Sequence, residues 1–257
     1  MKISLPVTIS FSIILILLYL IVTFDSRASN NAKVIPASPV QVIPISHATF
    51  ILKWDNKTIY IDPVGDRYTF ENETAPDIIL VTDIHGDHLS TDVLSQIIGK
   101  ATLVVPSAVG NILPDEISTN AKILNNGEVT VSQGFKILAI PMYNLPESED
   151  SKHVRGRGNG YLIEHNGFRV YIAGDTAGIQ EMRDLRNIDI AFIPMNLPYT
   201  MSYEEAADAV LEFKPKQVYP YHYRSEGGER SILNFKKLIK NGDGKIEVIL
   251  KNWYPFG

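Results

Sequence analysis

The stretch Ile78-Ile79-Leu80-Val81-Thr82-Asp83-Ile84-His85-Gly86-Asp87-His88 decides how this chain folds and what it does. It begins as an apolar, β-branched run of the kind that forms a buried strand. It then discharges into Asp83, His85, Asp87 and His88, all metal-competent, with Gly86 permitting a tight backbone path between them. Ser90 or Thr91 caps the helix that follows. Carboxylates and imidazoles crowded in this way repel one another and are costly to desolvate unless a cation compensates them. The segment therefore predicts a metal site at a strand end.

Three further segments share the arrangement. Asp175 follows the apolar run ending Tyr171-Ile172-Ala173-Gly174, His222 closes Tyr219-Pro220-Tyr221, and His153 lies on the loop leading through Gly160. Each stands at or shortly after the end of an expected strand, so strand C-termini can converge on one edge. His47 also stands at a strand end, as a substrate contact, a support for a ligand or a structural residue. His165, in a His165-Asn166-Gly167 hairpin turn, is expected to be exposed and inert.

Apolar runs predict strands at 40–45, 49–54, 58–61, 78–82, 102–105, 135–140, 161–164, 169–173, 188–193, 217–221 and 245–250. Asp55-Asn56 is expected to turn a hairpin. Helical spacing covers 91–98, 203–213 and 229–239. Hairpins early and strand–helix alternation later predict an α/β fold: an αββα sandwich of two face-to-face mixed sheets with helices outside.

The 257 residues suit one sizeable domain, and 45% apolar with 21% charged residues is ordinary for a folded protein. A net charge of −5 argues against nucleic acid as a partner. With no cysteine there is no thiolate nucleophile and no cysteine-based zinc cluster, so a metal must be held by His, Asp and Glu. Residues 3–24 are uncharged, apolar and long enough to span a bilayer core. Residues 1–28 therefore read either as a signal peptide cleaved after Ser26-Arg27-Ala28 or as an uncleaved membrane anchor, 29–39 as a tether and 40–257 as the catalytic domain. Both readings place that domain outside the cytosol, periplasmic or extracellular.

Asp83-x-His85-x-Asp87-His88 resembles the His-x-His-x-Asp-His motif of the metallo-β-lactamase superfamily, with its first histidine replaced. Gly174-Asp175-Thr176 looks like the turn whose aspartate bridges two metals in that family, and Tyr219-Pro220-Tyr221-His222-Tyr223 like its late Pro-x-His segment. Ser46-His47-Ala48-Thr49-Phe50 and Asn196-Leu197-Pro198-Tyr199-Thr200-Met201 resemble elements of the branch containing ascorbate-6-phosphate lactonase and N-acyl-phosphatidylethanolamine phospholipase D. The resemblance implies one divalent ion on Asp83, His85 and His153, a second on Asp87, His88 and His222, and Asp175 between them. Asn144 or a water is the alternative to His153.

That implies a hydrolase in which a metal-activated hydroxide attacks a small ester, a lactone or a phosphodiester, with lipid-derived substrates included. Asp87 would orient the hydroxide, while Tyr221, Tyr199, Asn196 and His47 are candidates to hold substrate or protonate its leaving group. Arg155 and Arg157 could grip a phosphate or carboxylate. Zinc is the first expectation, one or two ions per chain. Asp83, harder than imidazole and negatively charged, favours manganese, iron or magnesium or weaker zinc binding. The rival reading is a metal- or partner-binding module that kept the fold and lost turnover.

Overall fold

The computed structural model describes residues 38–66, 68–119, 121–224 and 228–254. The apolar run 3–24 and nearly all of the tether lie outside them; among the described residues no helix is long and apolar enough to cross a membrane. From Pro39 onward the chain forms a unit of its own.

One sheet takes its strands in sequence order: β1 (Val40–Ser46), β2 (Thr49–Trp54), β3 (Lys57–Ile61), β4 (Ile78–Leu80), β5 (Thr102–Val105) and β6 (Ala121–Ile123). The other runs likewise through β7 (Val129–Ser132), β8 (Phe135–Met142), β9 (Gly158–His165), β10 (Phe168–Ile172), β11 (Ile190–Pro194), β12 (Gln217–Tyr221) and β13 (Glu247–Val248). In each sheet the early pairs are antiparallel and the later ones parallel. Local chemistry sets this division. Two-residue type I′ hairpin turns need positive φ at both positions, and Asp55-Asn56 (50° and 59°), Gln133-Gly134 (52° and 85°) and Asn166-Gly167 (50° and 77°) supply it. Parallel neighbours need crossovers, which carry the helices.

Helices α1 (Thr91–Ile97), α2 (Ser107–Gly110) and α3 (Asp115–Ser118) belong to the first sheet; Ser90 caps α1 by accepting the Val93 N–H at 3.3 Å. The outward side chains Ile51, Tyr60, Ile79, Val81, Leu103 and Val105 form a core with Val93, Leu94, Val109 and Ile117 beneath these helices. Helices α4 (Gln180–Arg183), α5 (Tyr203–Phe213) and α6 (Gly228–Gly242) belong to the second sheet, where Phe213 meets the ring of Tyr171 at 6.2 Å. Between the sheets, Phe50 of β2 stacks on Phe192 of β11 at 4.4 Å, with Tyr221 and Trp253 edge-on or tilted around them. The αββα sandwich is thus formed.

The expected elements need four corrections. β6 and β7 were not expected, because both are sheet edges whose outward residues, such as Ile123, Val129 and Val131, stay exposed and leave no alternating apolar signal. The expected run 245–250 contains only the two-residue strand β13. The short helices α2, α3 and α4 carry too few residues for helical periodicity to show. His165 is neither exposed nor idle: its side chain is 13% exposed, with Nε2 2.7 Å from Asp55 Oδ2 and Nδ1 2.9 Å from the Gly134 carbonyl.

Candidate metal centre

The parallel strands bring their C-terminal ends together, and both sheets contribute. From the first come Asp83, His85, Asp87 and His88 after β4; from the second come His153 before β9, Asp175 after β10 and His222 after β12. Asp175 is the hub. His88 Nε2 lies 3.4 Å and His153 Nε2 3.3 Å from its Oδ2, and His222 Nε2 lies 3.4 Å from its Oδ1. Asp87 faces the same point, 3.3 Å from His222 Nε2 and 3.9 Å from His88 Nε2.

The supporting contacts fix which ring nitrogen faces inward. His88 Nδ1 lies 2.9 Å from Asp62 Oδ2 and 2.9 Å from Thr82 Oγ1, while Asp62 also accepts the Thr82 N–H and hydroxyl, each at 2.7 Å. A carboxylate only accepts, so Nδ1 carries the proton and Nε2 keeps its lone pair for the centre. His153 is held in the same way, Nδ1 lying 3.2 Å from Asn144 Oδ1 and 3.1 Å from the Tyr199 carbonyl. Asn144 is therefore the support of His153 and not its substitute.

The residues fit a cation. His88 Nε2, His153 Nε2, His222 Nε2 and Asp175 Oδ1 are buried with no hydrogen-bond partner, a costly arrangement unless something positive lies between them. His88, Asp175 and His222 form one group whose ligand atoms lie within 4.8 Å of one another; Asp83, His85 and His153 form a second, and His47, Asp87 and His222 a third. The electrostatics agree. Burial alone would push His222 down, but the carboxylates of Asp175 and Asp87, 3.4 and 3.3 Å from its Nε2, bring it up to about 9. Burial opposes ionisation of Asp175, yet the adjacent His222 and His88 hold it well below the usual carboxylate range. Asp87 is also held low, chiefly by His222, whose Nε2 lies 3.3 Å from its Oδ2.

An open cavity of about 670 Å³ lies over the centre. His47, His85, Asp87, His153 and Asp175 line it, with Lys152, Arg224 and the segment Asn196-Leu197-Pro198-Tyr199 around them. The expected Tyr199, Asn196 and His47 thus line this cavity. Tyr221 does not line it. It is fully buried among Phe50, Phe192 and Trp253, its hydroxyl accepting the Gly174 N–H at 3.1 Å, so it supports the Asp175 turn and does not open on the cavity. The two expected anion-gripping arginines are also otherwise engaged. Arg155 pairs with Glu147 and Glu181, and Arg157 with Asp83.

Asp62, Thr82, Lys152 and Arg224 were not expected. Asp62 follows the apolar strand β3 as Asp83 follows β4, so the same strand-end logic would have found it.

Residues 41–222 match the family described as the beta-lactamase superfamily domain. A metal-dependent hydrolase of Thermococcus onnurineus is 34% identical over 221 residues, covering 82% of this chain and 96% of its own length. A counterpart from Lysinibacillus sphaericus is 30% identical over 217 residues, covering 78% and 92%. Among solved structures, a Parabacteroides distasonis protein assigned as a metal-dependent hydrolase has 36% identity and a TM-score of 0.70, covering 82% of this chain and 92% of its own. A metallo hydrolase from Ignicoccus hospitalis, at 23% identity, shares the fold with a TM-score of 0.68 over 82% of this chain and 94% of its own.

Proposed function

Because this chain belongs to the metallo-β-lactamase superfamily and its metal-dependent hydrolases, we propose that its substrate is a small anionic ester, a phosphodiester before a neutral ester or lactone. One observation carries this reading: the cavity over the centre has Lys152 and Arg224 among its lining residues. A negatively charged group entering there meets positive side chains above a cation-binding floor, which favours anions in both affinity and encounter rate. Leu197 and Tyr199, 47% and 45% exposed, give the same cavity an apolar lip for the remainder of the substrate.

His88, Asp175 and His222, with Asp87 and His153 beside them, would hold the metal. A divalent ion there would supply Lewis acidity and make water more acidic. Asp87, kept ionised, is a hydrogen-bond acceptor on the cavity floor that can orient an attacking water. His47, held below the ordinary histidine value mainly by burial, accepts from Arg224 Nη1 through Nε2 at 3.2 Å, so it holds that guanidinium at the cavity wall and is not the proton donor to a leaving group. Asn196 and Tyr199 line the cavity wall, where they can hold substrate.

The test compares bis-p-nitrophenyl phosphate with p-nitrophenyl acetate and a simple lactone on the metal-loaded protein. Metal-dependent turnover of the phosphodiester is expected, and Lys152→Ala should raise its KM about tenfold, roughly 1.4 kcal/mol, without affecting the neutral ester. Preference for the neutral substrates, with Lys152→Ala silent on all three, would reject the reading. The apolar run 3–24 supports placing this activity outside the cytosol; a phosphatase reporter fused after residue 39 should then be active, and an inactive reporter would reject the placement.

A further inference from the structure

The two principal candidate ion positions are built differently. In the inner one, His88 Nε2, His222 Nε2 and Asp175 Oδ1 have no hydrogen-bond partner. In the outer one, Asp83 is already satisfied. Arg157 Nε donates to Asp83 Oδ1 at 3.1 Å and Nη2 to Oδ2 at 2.9 Å, the two-pronged pairing that suits guanidinium to carboxylate. His85 Nδ1 lies 2.8 Å from the same Oδ2, and Arg157 Nη2 lies 3.4 Å from His85 Nε2. Since Nη2 can only donate, His85 Nε2 is an acceptor and its Nδ1 carries the proton toward Asp83.

This pairing is built into the backbone. The Asn159 N–H donates to the Thr82 carbonyl at 2.9 Å, which sets Arg157 beside Asp83. Gly158 allows that approach, since a Cβ there would lie 2.8 Å from the Thr82 carbonyl oxygen. Asp83 is fully buried and Arg157 is 21% exposed, so the pair is poorly screened by solvent.

We propose that Arg157 cancels the charge of Asp83, so that the pair replaces a neutral histidine without adding negative charge, and the chain binds one ion tightly at the inner position and a second only weakly. The added carboxylate therefore brings no extra cation affinity. Arg157 is a positioning residue, placing its guanidinium where the second ion would be repelled. The inference rests on the reading of this centre as a cation site.

The test is metal stoichiometry, independent of turnover. The full-length protein is stripped with chelator, titrated with zinc or manganese alone, and the bound ions are counted by elemental analysis after equilibrium dialysis. Wild type should show two classes of site, the second at least about tenfold weaker. Arg157→Gln should tighten the second by at least about tenfold, the size expected for one unit charge acting on a divalent ion at a few ångströms even through water, and leave the first unchanged. Arg157→Lys, which keeps the charge, should behave as wild type. Two equally tight ions in wild type, a measurement that needs no variant to fold, would overturn the inference, as would a weaker second ion in Arg157→Gln. No bound metal at all would instead defeat the cation-site reading itself.

Discussion

Replacing Asp62 by asparagine tests whether a residue that never touches the cavity sets the metal affinity. Asp62 is fully buried and accepts from the Thr82 N–H, the Thr82 hydroxyl and His88 Nδ1. Asparagine keeps one oxygen for the Thr82 N–H but presents an NH₂ where Oδ2 stood. The Thr82 hydroxyl can rotate to accept from it. His88 Nδ1 can accept only by giving up its proton, which then sits on Nε2, the atom 3.4 Å from Asp175. A ligand lone pair is thereby replaced by an N–H. Loss of such a support costs about 10- to 100-fold in metal affinity, equivalent to about 1.4 to 2.7 kcal/mol. Stability of the metal-free protein should fall by about 1 to 3 kcal/mol, because the rebuilt hydrogen bonds are weaker and partly mispaired. The assay is zinc competition against a chromogenic chelator, with thermal melts of the stripped protein in parallel. A folded Asp62→Asn protein that binds zinc as tightly as wild type would refute both the tautomer assignment and the role of His88 Nε2.

Other outcomes follow from contacts already described. Tyr221→Phe should cost about 1 kcal/mol of stability for the lost Gly174 contact and leave kcat close to wild type; a collapse of kcat with stability unchanged would restore Tyr221 as a substrate contact. Gly160→Ala should lower the melting temperature sharply, since its Cβ would lie 2.7 Å from the Ala173 carbonyl oxygen and 2.9 Å from that of Ile172; an unaltered melt would show that β9 can retreat from β10. His165 is raised above its ordinary 6.5, first by its hydrogen bond to Asp55 and then by that to Gly134. The contact therefore stabilises most fully below the unfolded value and fades as pH rises through the folded one. The stability gap between wild type and Asp55→Asn should be larger at about pH 5.5 than at about pH 9, read by urea melts; a gap that did not change with pH would show that protonated His165 is not what the contact stabilises.

Interior strands were legible because burial on both faces leaves continuous apolar runs, as in Ile78-Ile79-Leu80 and Ile190-Ala191-Phe192. Edges were not, because β6 and β7 owe their place to pairing with neighbours and to a link between them, Lys122 Nζ donating to the Val131 carbonyl at 3.0 Å. The cluster of acids and imidazoles was legible because such side chains at strand ends have few other uses. The partners of those side chains were harder to read. Asn144 and Arg157 act on His153 and Asp83 across loops whose path depends on how the strands dock. Tyr221 misled because its neighbour His222 faces the centre, and alternation along a strand turns adjacent residues to opposite sides. His165 misled because its turn is exposed in sequence terms, yet the turns at Asp55 and Gly134 close over it.

The seven side chains around the centre are donated by opposite leaves of the sandwich, four from one and three from the other. An ion gripped there is consequently a rivet through the molecule as well as a reagent. Each group of ligand atoms draws on both leaves, so its full coordination set exists only once the leaves have docked. Full docking arms the catalyst, and withdrawing the ion should loosen the seam between the leaves before it disturbs either one.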